Sequence, residues 1–146
     1  MESNIRAQIA QYCELLSEWN ASYEEYAKSA GLSYTSLSVL SAIYSNPGCT
    51  QKELAKRCFL PKQTVNAVIT SFLKNGWVKL EEVSEDRRNK TVNFTETGIT
   101  KAKEIMTKVH NSENKAMSGL TKEQREQLLE LTKMYINSCR DNMKSE

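Results

Sequence analysis

Residues 50–98 constrain the fold of this chain more than any other stretch. A short helix begins at Thr50, a second helix follows over about Lys62–Asn75, and residues 77–94 alternate apolar and polar side chains on both sides of a charged turn. That alternation predicts a β-hairpin. A helix pair followed by a hairpin with a basic tip is typical of domains that place the second helix in the DNA major groove and the hairpin on an adjacent minor groove or backbone. We therefore expect a DNA-binding protein and not an enzyme.

Two helix starts are indicated by local spacing. Thr50 and Glu53 have the spacing of a capping box, in which each side chain accepts a hydrogen bond from the backbone N–H of the other residue. Thr121 and Gln124 repeat this spacing and predict the start of the last helix. The helix that precedes it opens near Thr95, and its apolar pattern weakens near Asn111–Gly119.

The second helix of the pair has two unlike faces. Its apolar side is formed by Val65, Val68, Ile69 and Phe72. The opposite side has the spacing i, i+3, i+4, i+7 and carries Gln63, Asn66, Ala67 and Thr70. Amide side chains donate and accept together, so we predict that Gln63 and Asn66 read base edges. Ala67 leaves room for a thymine methyl group, and the expected phosphate or mixed contacts come from Lys62, Thr64 and Thr70. An ordinary solvated helix face is the alternative interpretation.

The hairpin tip, residues 84–90, carries three cations and two carboxylates. Arg87 and Arg88 are planar, permanently charged donors that suit a narrow, negative minor groove, and Lys90 follows them. Asp86 lies two residues before Arg88 and can hold its guanidinium in one orientation. A solvated charged turn is the alternative, but the position after a helix pair favours DNA contact.

The first helix, predicted over residues 4–29, carries a heptad seam. Apolar side chains recur at alternating spacings of 4 and 3, namely Ile5, Ile9, Tyr12, Leu16, Trp19, Tyr23 and Tyr26. Gly31 ends the helix. The seam suits a dimer interface or a packing face within its own domain, and we expect it to serve both.

Charge is concentrated in the middle of the chain. The 146 residues predict one domain with a net charge of +2. Residues 48–94 carry 9 basic and 5 acidic side chains, a net charge of +4, whereas residues 1–47 carry −3 and residues 95–146 carry +1. A surface that faces phosphates requires such a basic segment. The sequence has neither a signal-peptide pattern nor an apolar run of membrane-spanning length, so we expect a cytoplasmic protein with no membrane partner.

Residues that could hold a metal or perform catalysis are few. The cysteines Cys13, Cys49, Cys58 and Cys139 have no CxxC spacing, and His110 is the single histidine. The cysteines are best interpreted as reduced thiols, and we predict no metal site. A glycine-rich phosphate loop, a Ser/His/Asp set and an HExxH motif are all missing, which excludes the common enzyme classes and predicts no cofactor.

The order and separation of several short motifs resemble the multiple-antibiotic-resistance regulator (MarR) family of winged-helix proteins. The matching elements are Leu32-Ser33 with Leu40, Leu54-Ala55, Thr64-Val65, Gly76 with Val78, Asp86-Arg87-Arg88, and Thr95 with Gly98. The resemblance implies a mainly α (α+β) fold, a winged helix-turn-helix with an N- and C-terminal helical dimerisation region. The implied arrangement is a single MarR-type domain over 1–146, with the DNA-binding lobe at 32–98 and the dimerisation region at 1–31 and 99–146.

The resemblance also implies a function. It implies a homodimeric transcription factor, more often a repressor, that binds double-stranded DNA at a pseudo-palindromic operator. By that resemblance Arg88 is the minor-groove residue at the wing tip and Asp86 is its orienting partner. Trp77 replaces a small aliphatic residue of the family and is expected to pack at the base of the wing.

Relatives in this family respond to small molecules or to oxidation. A phenolic or amphipathic effector would bind in an aromatic pocket, for which the candidates here are Trp19, Tyr23, Tyr26, Tyr34 and Tyr44; plain core packing is the alternative. Cys13 lies roughly where oxidation-sensing members carry a reactive cysteine, so thiol sensing is a second possibility, set against a structural thiol. A winged-helix protein-interaction module that does not read DNA is the alternative from a different class.

Overall fold

Six helices and one antiparallel hairpin make up the described part of the chain. The computed structural model describes residues 2–83 and 86–144, and of residues 86–88 it describes the backbone alone. The mainly helical winged helix-turn-helix predicted from sequence is confirmed. Its elements are α1 (Glu2–Ser29), α2 (Tyr34–Ser45), α3 (Gln51–Cys58), α4 (Lys62–Lys74), β1 (Val78–Val83), β2 (Asp86–Phe94), α5 (Glu96–Ser118) and α6 (Lys122–Lys144).

Two compact units divide the chain between Ile105 and Met106. The core of the first unit lies beneath α4, whose apolar side is fully covered, and its largest buried side chains are Phe72, Leu40, Ile43, Leu54, Ile69, Val39, Val65 and Val92. Burying a side chain of this size contributes about 1.5–3 kcal/mol, so this core fixes the helix pair and the hairpin as one body. The second unit contains the end of α5 and all of α6. The predicted division into a DNA-binding lobe and a dimerisation region assumes a dimer, and the structure contains a single chain. This division stays a prediction.

Both predicted capping boxes are confirmed. The backbone N–H of Glu53 donates to Thr50 Oγ1 at 3.2 Å, and the N–H of Thr50 donates to Glu53 Oε2 at 3.3 Å. The N–H of Gln124 donates to Thr121 Oγ1 at 3.2 Å, and the N–H of Thr121 donates to Gln124 Oε1 at 2.8 Å. Each box satisfies two donors that the first turn of a helix otherwise leaves without partners, so these boxes set where α3 and α6 begin.

The second strand of the hairpin is longer than predicted. It begins at Asp86 instead of Thr91, because pairing with β1 continues through Glu82 opposite Lys90 to a bulge beside Val83. Side-chain alternation cannot reveal this extension, since its residues are charged on both faces. The N–H of Val92 also donates to the Cys49 carbonyl at 2.8 Å, which attaches β2 to the turn before α3.

The base of the hairpin is fastened to the start of α5. Thr95 caps that helix by accepting from the N–H of Gly98 at 3.0 Å, and its hydroxyl donates to the carbonyl of Gly76 at 2.5 Å. Trp77 packs on Phe72 with ring centroids 5.4 Å apart, as expected for the base of the wing. This fastening connects the end of α4 to the first turn of α5.

Helix α5 continues to Ser118, through the segment where the sequence pattern weakens. The weakening near Asn111–Gly119 therefore does not indicate a break. Glu113, Lys115 and Ala116 are strong helix formers, and they maintain the helix where apolar periodicity is lost.

Three of the seven heptad-seam residues of α1 are exposed in the single chain, and the other four are half-buried. Ile5 is 53% exposed and Trp19 is 58% exposed, and Ala27 is the helix residue that is buried. The C-terminal end of α1 is held by Tyr26, whose hydroxyl donates to the Ile105 carbonyl at 2.7 Å. The remaining seam thus has apolar surface available for a partner helix.

Across the described residues, we find no helix long and apolar enough to cross a membrane.

Candidate nucleic-acid interface

Helix α4 presents its polar stripe to solvent. Gln63, Asn66, Ala67 and Thr70 are exposed. The opposite side is buried in the core through Val65, Val68, Ile69 and Phe72. The predicted division of this helix into two faces is therefore confirmed. Because the buried side is anchored at four positions, the exposed side is held rigidly toward solvent.

A polar cleft lies between this stripe, the beginning of α3 and strand β2. Its volume is about 580 Å³, and it is lined by Thr50, Gln51, Lys52, Lys62, Gln63, Asn66, Asn89 and Lys90. The fold thus brings four of the residues predicted from sequence, Lys62, Gln63, Asn66 and Lys90, to one concave surface. The cleft combines amide groups that suit base edges with ammonium groups that suit phosphates.

The electrostatics of the cleft favour an anion. Lys52, Lys62 and Lys90 line it, and its described lining contains no carboxylate. Helix α4 adds to this, because its N-cap residue is Pro61 and no side chain caps its first turn. The backbone N–H groups at a helix start carry partial positive charge and bind phosphate when a side chain does not occupy them. Cations from three elements and the start of α4 therefore face the same space.

The remaining predicted residues of α4 lie beside the cleft instead of lining it. Thr64 is half-buried, and Ala67 and Thr70 lie on the exposed stripe one and two turns further along the helix. The hydroxyl of Thr70 donates to the Asn66 carbonyl at 2.8 Å. While that bond is formed, Thr70 can accept a hydrogen bond from a ligand but has no proton to donate to it.

Four lining residues were not predicted from sequence. They are Thr50, Gln51, Lys52 and Asn89. The first three belong to the start of α3, and the capping box at Thr50 was the signal that could have identified them, because it places the next side chains at an exposed helix start. Asn89 could be identified only by knowing that β2 begins at Asp86, three residues before it.

The wing-tip prediction lies partly outside the described residues. The backbone of Asp86 pairs with Val83 at the start of β2. The side chains of Asp86, Arg87 and Arg88 are outside the described residues, so their predicted minor-groove contact and the orienting role of Asp86 stay predictions. Lys90 is described, exposed and part of the cleft.

Two ring contacts join Trp19, Tyr23 and Tyr34, three of the aromatic residues predicted for an effector pocket. The ring centroids of Trp19 and Tyr23 lie 5.5 Å apart, and those of Tyr23 and Tyr34 lie 6.1 Å apart. Tyr26 instead uses its hydroxyl on the backbone of α5. Tyr44 lies ten residues beyond Tyr34 on α2, about 15 Å away along the helix. An effector site on the three clustered rings stays a prediction.

The four thiols differ in environment. Cys13 is exposed on α1 and Cys139 is half-buried on α6. Burial raises the pKa of the Cys49 thiol, and the Glu53 carboxylate raises it further. Burial also raises the pKa of Cys58, whose thiol donates to the Ser38 carbonyl. A raised pKa lowers the thiolate fraction, so Cys49 and Cys58 are poor nucleophiles. Within the described ranges, no three His, Cys, Asp or Glu side chains are grouped to hold a metal ion.

Residues 30–89 match a sequence model described as "MarR family". This range contains α2, α3, α4 and most of the hairpin. Over this range, the chain is similar to the MarR family. The regulator SarZ of Staphylococcus haemolyticus, described as an HTH-type transcriptional regulator, is 35% identical over 77 residues, which cover 53% of this chain and 52% of SarZ. The chain therefore aligns with about half the length of the curated relatives it matches.

Solved structures of MarR family proteins share the fold. A MarR family regulator from Neisseria meningitidis superposes with a TM-score of 0.80 at 20% identity, covering 93% of this chain and 96% of that chain. A MepR–DNA complex of Staphylococcus aureus superposes with a TM-score of 0.71 at 20% identity, covering 88% of this chain and 95% of that chain. A MarR protein of Staphylococcus aureus in complex with salicylate and kanamycin superposes with a TM-score of 0.73 at 14% identity, covering 93% of this chain and 92% of that chain. At these identities the structures demonstrate the MarR fold alone.

Proposed function

We propose that the protein is a transcriptional regulator that binds double-stranded DNA sequence-specifically as a homodimer. The observation that carries the proposal is the polar cleft in which Lys52, Lys62 and Lys90 surround the amides of Gln63 and Asn66. The lysines attract the phosphate backbone, and the amides provide paired donors and acceptors for base edges. A regulator needs no catalytic residues, and we propose no enzymatic activity and no cofactor.

In the proposed complex, the start of α4 enters the major groove. The backbone of one strand then lies in the cleft between α3, α4 and β2, and the wing tip with Arg87 and Arg88 reaches the neighbouring minor groove. The exposed seam of α1 supports pairing with a second copy. Two copies related by a twofold axis would place their α4 helices about 34–36 Å apart, which requires a pseudo-palindromic operator. The MepR–DNA complex, which has the same fold, supports this mode.

We further propose that the regulator is a repressor released by a small phenolic or amphipathic effector. The support is the cluster of Trp19, Tyr23 and Tyr34 between α1 and the start of α2. A MarR protein of the same fold binds salicylate and kanamycin. An effector that binds one dimer conformation more tightly shifts the population toward it, and a changed spacing of the α4 helices then lowers operator affinity.

Oxidation of Cys13 is the second candidate for the releasing signal. Its exposure on α1 makes the thiol accessible to peroxide. Treatment with peroxide, followed by operator binding of the wild type and of Cys13→Ser, separates the two signals. Full peroxide-induced release of Cys13→Ser would exclude thiol sensing through this residue.

The decisive experiment is a salt titration of DNA binding. The wild type is mixed with a duplex selected by it from a random pool and with a random duplex of equal length, over a range of salt concentrations. We expect tight binding to the selected duplex with a steep negative dependence of log K on log salt, because phosphate contacts release counterions. A salt-independent constant would contradict phosphate contact and favour a protein-interaction module, whereas equal affinity for both duplexes would contradict sequence-specific recognition.

A further inference from the structure

A second cleft in the first unit is not used by the proposed DNA contact. It has a volume of about 950 Å³ and lies between α2 and the part of α3 from Glu53 to Cys58. Its α2 wall is made of small side chains such as Ser41 and Ala42, and its α3 wall contains Lys56, Arg57 and Phe59. The two clefts share no lining residue among those described. Along α3, a helix about 12 Å long, Gln51 and Lys52 line the first cleft, and the residues that line the second cleft follow from Glu53 onward.

Phe59 at the rim of this cleft is the most exposed large apolar side chain in the described chain. Its relative exposure is 94%. Phe59 also adopts a left-handed backbone conformation with φ of +52°, the one positive φ at a described non-glycine residue. A glycine would cap α3 at this position without steric cost. Capping therefore explains the backbone here but does not explain a projecting aromatic ring.

Two cations line the same cleft as Phe59. Lys56 and Arg57 occupy the last turn of α3, and neither forms an ion pair with a described carboxylate. Glu53, the acidic residue of the cleft, accepts the Thr50 N–H in the capping box, and the side chains of Glu53 and Arg57 both act on the Cys49 thiol. The described charged lining of the cleft is therefore two cations and one carboxylate, a net positive charge. The helix dipole accounts for cations at this end of α3, but they are still available to a partner.

We infer that Phe59 and the cationic rim of this cleft dock a second protein through an acidic segment that carries an apolar side chain. A ring that projects freely into solvent is buried by a concave protein surface, whereas a small molecule covers only part of it. Aromatic and arginine side chains at the centre of an interface contribute most of its binding energy. The acidic groups of the segment face Lys56 and Arg57, and its apolar side chain enters the space between α2 and Phe59. Because the clefts are separate, the segment binds with or without DNA.

The probe is a short synthetic peptide in which aspartate and glutamate flank one leucine, titrated into the isotopically labelled full-length protein and followed by NMR. The control peptide has the same charge and an asparagine in place of the leucine. We expect saturable shifts at Ala42, Lys56 and Phe59 that are retained when operator duplex is bound. We expect about tenfold weaker binding of the control peptide, the loss that removal of an interface anchor causes.

Variants separate this site from the DNA cleft. Phe59→Ala and Lys56→Glu should each weaken binding of the leucine-containing peptide. Ile99→Ala changes an exposed apolar residue on α5 and should leave that binding unchanged. Thermal melting confirms that each variant is folded. The peptide is tested on the protein without DNA, so this result can be interpreted even if the proposed DNA binding fails. Equal binding of both peptides would overturn the inference, as would shifts centred on Gln63 and Asn66. Loss of DNA affinity in Phe59→Ala would assign the surface to the DNA footprint instead.

Discussion

The hydroxyl of Thr70 donates to the carbonyl oxygen of Asn66, 2.8 Å away, one turn earlier on α4. Both residues lie on the exposed stripe, but the bond engages the Thr70 proton while the Asn66 amide faces the cleft. Residues of one stripe are therefore unequal as readers of base edges. Asn66 has a donor and an acceptor available, and Thr70 has an acceptor alone.

This difference predicts unequal effects of substitution. Asn66→Ala should weaken binding to the selected duplex by about 1–3 kcal/mol, the range for a lost base contact. Thr70→Val keeps the shape of the side chain and should change the affinity by less than about 0.5 kcal/mol, as a substitution away from the contact does. Fluorescence anisotropy with the selected and random duplexes measures both. Equal losses in the two variants would contradict the assignment of Asn66 as the reader.

The lysines of the cleft should determine the salt dependence. Lys52→Ala and Lys90→Ala should each reduce the slope of log K against log salt by about 1, because each removes one phosphate contact. Lys74→Ala removes the same charge from the far end of α4, outside the cleft, and should leave the slope unchanged. Slopes obtained from titrations on a random duplex provide the comparison. A similar reduction in Lys74→Ala would mean that net charge, and not the cleft, governs binding.

Sequence signals were reliable where structure is decided locally. The spacing of Thr50 and Glu53 fixed the start of α3, and the 3-1-3 spacing of apolar residues fixed the buried side of α4. Both depend on residues within two helical turns. The amide stripe on the other side of α4 followed from the same periodicity, so part of the candidate interface was accessible without a structure.

Features that depend on residues far apart in the sequence could not be predicted from the sequence. The extension of β2 to Asp86 is stabilised by pairing with β1, and the charged residues there carry no alternation. The joining of Lys52 and Lys90 in one cleft requires the hairpin to fold back on α3, which the Val92–Cys49 hydrogen bond accomplishes. The exposure of Phe59 was also missed. An aromatic residue at a helix C-terminus, where glycine is usual, was the available signal.

The close approach of Gly98 to Trp77 predicts a severe effect of a single methyl group. A Cβ built on Gly98 would lie 1.7 Å from the Trp77 carbonyl oxygen, and backbone on both sides leaves no flexible atom to move. Gly98→Ala should therefore destabilise the fold by about 3 kcal/mol or more, at the upper end of single substitutions. Gly119→Ala, where the nearest atom is 3.3 Å from the built Cβ, is the matched control. Chemical denaturation compares the two, and similar midpoints would show that the base of the wing can relax.

The left-handed backbone of Phe59 predicts an order of stability among its variants. Alanine retains the steric cost of this conformation, about 1–2 kcal/mol, whereas glycine does not. Part of that gain is offset by the greater freedom of glycine in the unfolded chain, roughly 0.5–1 kcal/mol. Phe59→Gly should thus be more stable than Phe59→Ala by up to about 1 kcal/mol in denaturant unfolding. The reverse order would indicate that the turn adopts a different conformation in solution.

The hydrogen bond from Tyr26 to Ile105 predicts a pH dependence of stability. Burial raises the pKa of the Tyr26 phenol above its ordinary value of 10.0, and the Glu104 carboxylate raises it further. The folded state therefore favours the protonated phenol, which is also the form that donates to Ile105. The stabilising contribution is complete below the pKa of the unfolded chain and is lost as the pH rises through the higher pKa of the folded protein. Tyr26→Phe removes this titration and one hydrogen bond, so it should cost about 0.5–1.5 kcal/mol at neutral pH. Above pH 10 the difference between wild type and variant should shrink, as measured by urea unfolding at neutral and alkaline pH. A difference that stays constant across this range would mean that the phenol does not titrate with folding.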